Sequence, residues 1–91
     1  MKILSWNCRG INNPETVQAL RTWCWRERPD FVFIMESMID RSRLDVVRRK
    51  CGFTNGVCVS SDGNSGGLGF WWKDHNVNLK SFSAHHISVE I

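Results

Sequence analysis

Phe31-Val32-Phe33-Ile34-Met35 is the stretch that most limits what this chain can fold into. Five consecutive apolar residues, mostly aromatic or β-branched, read as a strand buried on both faces. Pro29 precedes it and ends the helix before it at about Arg28. That helix is announced by Asn13-Pro14, an N-cap followed by a residue suited to the first helical position, with Glu15 in the first turn. Val17, Leu20, Cys24 and Trp23 fall on its inner stripe, and Arg21, Arg26, Glu27 and Arg28 face water. Lys2 to Asn7 reads as the strand before it. Strand, helix and strand make a βαβ unit with parallel strands and a right-handed crossover. As neighbours the two strands lie about 4.8 Å apart. Their carboxyl ends, where parallel α/β sheets place their sites, carry Asn7 and Glu36.

A second helix is expected over Asp40 to Lys50. Asp40 caps it, Gly52 closes it, and Leu44, Val47 and Val46 form its inner face. Arg41, Arg43, Arg48, Arg49 and Lys50 read as a solvated basic face. From Phe53 the period changes to two. Strands are expected over 53–60, 67–73, 77–82 and 86–91, with turns at 62–66 and 74–76 and a bulge or turn at Asn55-Gly56. Leu68, Phe70 and Trp72 form the inner set, which leaves Trp71, Phe82 and Cys58 exposed. The expected fold class is α/β, one domain over 1–91: a βαβ start, then a helix and an antiparallel meander. Two helices would cover one face of a six-strand sheet. The bare face would invite self-association or another partner.

Composition bounds the rest. Ninety-one residues make one small domain with a thin core, since a chain this size buries roughly 60–65% of its unfolded surface. Five Trp and five Phe must be packed or they become adhesive. A net charge of +3 is compatible with nucleic acid without requiring it. The N-terminus lacks a signal-peptide core, and no run approaches the roughly 20 apolar residues of a membrane span. The four cysteines, Cys8, Cys24, Cys51 and Cys58, are therefore expected as reduced thiols of an intracellular protein, nuclear or cytoplasmic. Cys51, Cys58, His85 and His86 fit no standard zinc spacing and read as ordinary core, loop and turn residues.

The ordered set Ser-Trp-Asn-Cys-Arg-Gly at 5–10, Arg-Pro-Asp-Phe-Val-Phe-Ile-Met-Glu-Ser at 28–37, Gly-Gly-Leu-Gly-Phe-Trp-Trp-Lys at 66–73 and His-His-Ile-Ser-Val-Glu-Ile at 85–91 resembles the start of the endonuclease/exonuclease/phosphatase superfamily. Within it, the sequence is most similar to the endonuclease region of plant LINE-type (non-LTR) retrotransposons. The resemblance implies one half of a four-layer α/β sandwich, a divalent metal (Mg²⁺ or Mn²⁺) at the sheet edge, and DNA as partner. It implies that Asn7 and Glu36 are catalytic, Glu36 as metal ligand and Asn7 in positioning the metal site or scissile phosphate. Arg9, beside them, is a candidate nucleic-acid contact. The Gly-Gly-Leu-Gly run reads as structural, allowing close backbone approach.

The family's later motifs do not occur in these residues: the active-site Tyr, the Gly-Asp-x-Asn segment, and the Ser-Asp-His segment with the general base. His85 and His86 lie too early in the order to replace that base. The chain is therefore expected to be an N-terminal portion of such a domain, without activity alone. Losing one proton-transfer group costs about 10²–10⁴ in rate, and here several groups are missing together. The alternative is a remnant without catalysis, binding nucleic acid through Arg9, the basic helix and exposed Trp, or binding protein.

Overall fold

The protein, seen in a computed structural model, is described over residues 1–63 and 65–91; Asn64, part of the expected 62–66 turn, lies outside them. Its elements in order are β1 (Ile3–Asn7), α1 (Pro14–Glu27), β2 (Phe31–Met35), α2 (Arg41–Lys50), β3 (Asn55–Val59), β4 (Leu68–Trp72), β5 (Asn78–Phe82) and β6 (Ile87–Glu90). The caps act as their chemistry requires. Asn13 Oδ1 accepts from the Thr16 amide at 2.8 Å, and Asp40 Oδ1 accepts from the Arg43 amide at 2.8 Å.

β1 and β2 pair in parallel, Ile3 with Phe31 through Asn7 with Met35. β4 then inserts between β2 and β3, antiparallel to both, giving the order β1-β2-β4-β3. The six-strand sheet expected from the pattern is two sheets. With β4 flanked on both edges, no hydrogen-bonding edge is left beside it for β5, which pairs with β6 instead. Asn55 and Gly56 continue the β3 ladder without a bulge; the irregular register lies between Leu79 and Ser81.

The phase of β4 is opposite to the expected one. Trp71 and Cys58 are buried in the helix-side core with Leu20, Val32, Ile34, Leu44 and Phe53. Leu68, Phe70 and Trp72 lie on the other face. Gly56 and Gly69 explain why: a Cβ on either would come within 2.8–2.9 Å of the Trp71 ring, so both positions are kept clear for the indole. Phe82 is exposed as expected. The second face carries an aromatic row, with Phe31 stacked on Phe70 at 5.5 Å and Trp72 tilted against Phe70 at 5.8 Å.

α2 departs from its expected pattern at two positions. Val46 points outward, and Arg48 is 9% exposed. Arg48 sits one turn after Leu44, on the inward stripe. Its charge is met by Asp45 Oδ1, which accepts from Nε at 2.8 Å, and by the Phe53 carbonyl, which accepts from Nη1 at 2.7 Å. The Arg48 guanidinium, donating to Asp45, holds that carboxyl below its ordinary range, and the charges of Arg48, Arg49 and Arg41 add to the effect against partial burial. A depressed carboxyl contributes stability above its unfolded pKa of about 3.9 and loses it as pH falls through the folded value. Thermal melts from pH 7 to pH 2 should therefore show wild type above Asp45→Asn at neutral pH by about 0.5–1 kcal/mol. The two curves should converge below about pH 3.

Among the described residues no helix is long and apolar enough to cross a membrane.

Candidate functional site

The parallel pairing of β1 and β2 decides where the candidate residues emerge. Asn7 stands opposite Met35, and Glu36 is the next residue along, so both leave the sheet at one edge. Three loops are stitched together there. The Cys8 amide donates to the Met35 carbonyl (3.1 Å), Gly10 to Glu36 (2.8 Å) and Ile11 to Ser37 (3.0 Å). From the third loop, the Gly67 carbonyl accepts from the Ser37 amide (3.2 Å) and the Gly66 carbonyl from the Met38 amide (2.8 Å).

This edge carries unusual backbone. Arg9, Glu36 and Met38 have φ of 51°, 52° and 59°, the left-handed region that L-residues avoid. Each such position costs roughly 1–2 kcal/mol, offset here by the interloop hydrogen bonds. Strain held in place by its surroundings is a feature of binding and catalytic sites. The result is a fixed platform presenting Asn7, Glu36 and the exposed Arg9. Beneath it, Cys8 Sγ donates to the Met35 and Glu36 carbonyls at 3.3 and 3.5 Å. Burial pushes the Cys8 thiol up and the Glu36 charge adds to this, against the pull of the Gly10 and Cys8 amides. Cys8 is thus a neutral structural thiol. Ser37 is fully buried, and its Oγ has no partner among the described residues.

The AP endonuclease LMAP from Leishmania major matches at a TM-score of 0.58 with 19% identity, over 80% of this chain and 24% of that one. The catalytic domain of Xenopus laevis APE2 matches at 0.54 with 23% identity, over 80% of this chain and 23% of that one. The fold is similar to part of each of these structures. No protein-family model matches the sequence, and no curated protein matches it. The chain spans about a quarter of the length of the solved AP-endonuclease-like structures it matches. This bears out the expected α/β architecture.

A divalent ion at this edge would need oxygen donors. Among the described residues no three of His, Cys, Asp and Glu come together as a ready cage. Glu36 supplies one carboxylate beside the Asn7 strand end. That set suits Mg²⁺, which keeps several waters and commonly takes one or two protein carboxylates plus substrate phosphate. Cys51, Cys58, His85 and His86 are not gathered: His86 lies in the β5–β6 hairpin, its ring nitrogens 3.2 and 2.8 Å from Ser81 Oγ and Ser83 Oγ.

Two features escaped the sequence reading. His75 packs on Phe31 at 4.8 Å and closes part of the second sheet face. Cys24 and Cys51 meet across the helix layer: the hydrogen bond from Cys51 pulls Cys24 below its ordinary value and pushes Cys51 well above its own. The signal for the pair was present, because Cys24 ends the inner stripe of α1 and Cys51 ends α2.

Proposed function

We propose that these 91 residues are the N-terminal portion of a divalent-metal-dependent phosphodiesterase domain, a DNA endonuclease of retrotransposon origin, and that they are inactive by themselves. The observation that carries the reading is the emergence of Asn7 and Glu36 from adjacent parallel strands onto one strained, hydrogen-bonded edge. The AP-endonuclease-like fold supports the hydrolase class, and the ordered motifs favour the LINE-type origin. In this reading 1–91 is one partial domain, and the aromatic second face packs against the remainder of the sandwich.

Glu36 would hold the metal ion, whose chemistry is to neutralise charge developing on the phosphate. Asn7, an uncharged amide at the adjoining strand end, would orient the scissile phosphate by hydrogen bonding. Arg9 would attract the DNA backbone as an exposed cation. With Glu36 given to the metal, no general base is assigned among the described residues of this edge, and in this reading water activation comes from elsewhere in the domain.

Two measurements test this. In Mn²⁺ titrations followed by NMR, amides of Cys8, Glu36 and Ser37 should broaden in wild type and stay sharp in Glu36→Gln; equal broadening in both removes Glu36 as ligand. Supercoiled plasmid with Mg²⁺ should remain intact with the 91-residue chain. Nicking that disappears in Glu36→Gln would refute the claim of inactivity.

A further inference from the structure

α1 and α2 lie on the same sheet face and leave a groove between them. Two adjoining clefts, of about 380 and 500 Å³, share Gln18, Arg21 and Lys50 and so form one channel. It runs from Asn12-Asn13, at the carboxyl edge of the sheet, to Lys73 at the opposite edge. Its walls carry Arg21, Arg28, Arg43, Lys50 and Lys73, and among the described residues no Asp or Glu lines it. The nearby carboxylates are engaged elsewhere: Asp45 pairs with Arg48 and Arg49, and Glu27 with Lys2. None of the five groove cations makes an ion pair among the described residues.

At the Lys73 end stands Trp25, 73% exposed, with the Arg28 guanidinium 4.9 Å from its ring centre. The indole offers an exposed aromatic surface of the kind on which a base stacks.

The geometry points to this groove as a binding site for a single nucleic-acid strand, with phosphates along the five cations and a base on Trp25. Basic channels with an aromatic platform are how proteins hold single strands without reading sequence. An acidic peptide would satisfy the cations but has no flat face for the indole. The assignment is independent of the phosphodiesterase reading, because Asn7 and Glu36 do not line the groove.

The test is fluorescence anisotropy of labelled dT12 with the full 91-residue chain from 20 to 200 mM NaCl. For three to five phosphates neutralised, log K should fall with log[salt] at a slope of about −2 to −3.5. Arg21→Gln with Lys50→Gln should make the slope shallower by about 1.4. Trp25→Ala should weaken binding about 5- to 150-fold, and Trp25→Phe should retain most of it. Lys80→Gln, on β5, should match wild type. All these side chains are exposed, and circular dichroism checks that each variant is folded. Absence of binding at 20 mM salt, or a groove double variant equal to wild type, overturns the site. Polyglutamate binding as tightly as dT12, with no effect of Trp25→Ala, overturns the nucleic-acid assignment. Either failure leaves the Mn²⁺ result at Glu36 untouched.

Discussion

Trp71→Ala is expected to bring the urea midpoint far below that of wild type. Trp71 is the largest fully buried side chain and sits where both helices meet the sheet. It tilts against Phe53 at 6.2 Å. Truncating a buried Trp costs about 3–5 kcal/mol, because the cavity adds to the lost transfer energy. A domain of this size has roughly 5–14 kcal/mol in total. Gly56 and Gly69 worsen the loss, since neither has a side chain that could swing into the hole. Trp71→Phe should cost far less. The indole Nε1 faces the Cys58 sulfur, a weak acceptor, and has no oxygen or nitrogen partner among the described residues. Phenylalanine removes that unmet donor along with some volume. Urea melts with unchanged slope and shifted midpoint would bear this out. A Trp71→Ala chain as stable as wild type would show that the indole does not organise the core.

Gly67→Ala should cost about 2–5 kcal/mol, a large loss for one added methyl. Gly67 has φ of 97°, and an added Cβ would collide with Ser37 Oγ while lying 3.3 Å from the Met38 amide nitrogen. The positive φ accounts for roughly 1–2 kcal/mol and the overlap for a further 1–3. The two parts can be separated. Ser37→Ala alone should be neutral or slightly stabilising, because its buried Oγ is unpartnered. Combined with Gly67→Ala it should recover about half the loss, the backbone strain remaining. A double-mutant cycle by urea denaturation reads the coupling directly. Strict additivity would mean that the collision is relieved elsewhere. Because the Gly67 carbonyl holds the Ser37 amide, the single variant should also shift the Ser37 amide resonance, next to Glu36.

The βαβ start was readable because its signals are local. A double-faced apolar run, a proline and an Asn-Pro cap fix β1, α1 and β2 almost to the residue, and the parallel pairing then places Asn7 beside Glu36. What the sequence hid depends on distant partners. In Leu68-Gly69-Phe70-Trp71-Trp72 both phases are apolar, so periodicity alone cannot assign a face. The decisive clue was glycine: Gly69 lies beside the indole on its own strand, and Gly56 stands opposite Trp71 on β3. Arg48 looked solvated because its acceptors, Asp45 and the Phe53 carbonyl, become visible only once α2 is packed. The split into two sheets likewise follows from strand order.

That strand order also governs how the chain can be made. β4 lies between β2 and β3 yet follows both in the sequence. While it is synthesised, β2 has one edge open, and β3 has no partner at all until Trp72 has left the ribosome. At about 5–20 residues per second this interval lasts seconds. Throughout it, Phe31 to Met35 is a bare, strongly apolar edge of the kind that pairs with other chains. Yield in a cell should therefore respond to chaperone supply and translation rate more than to the stability of the finished fold.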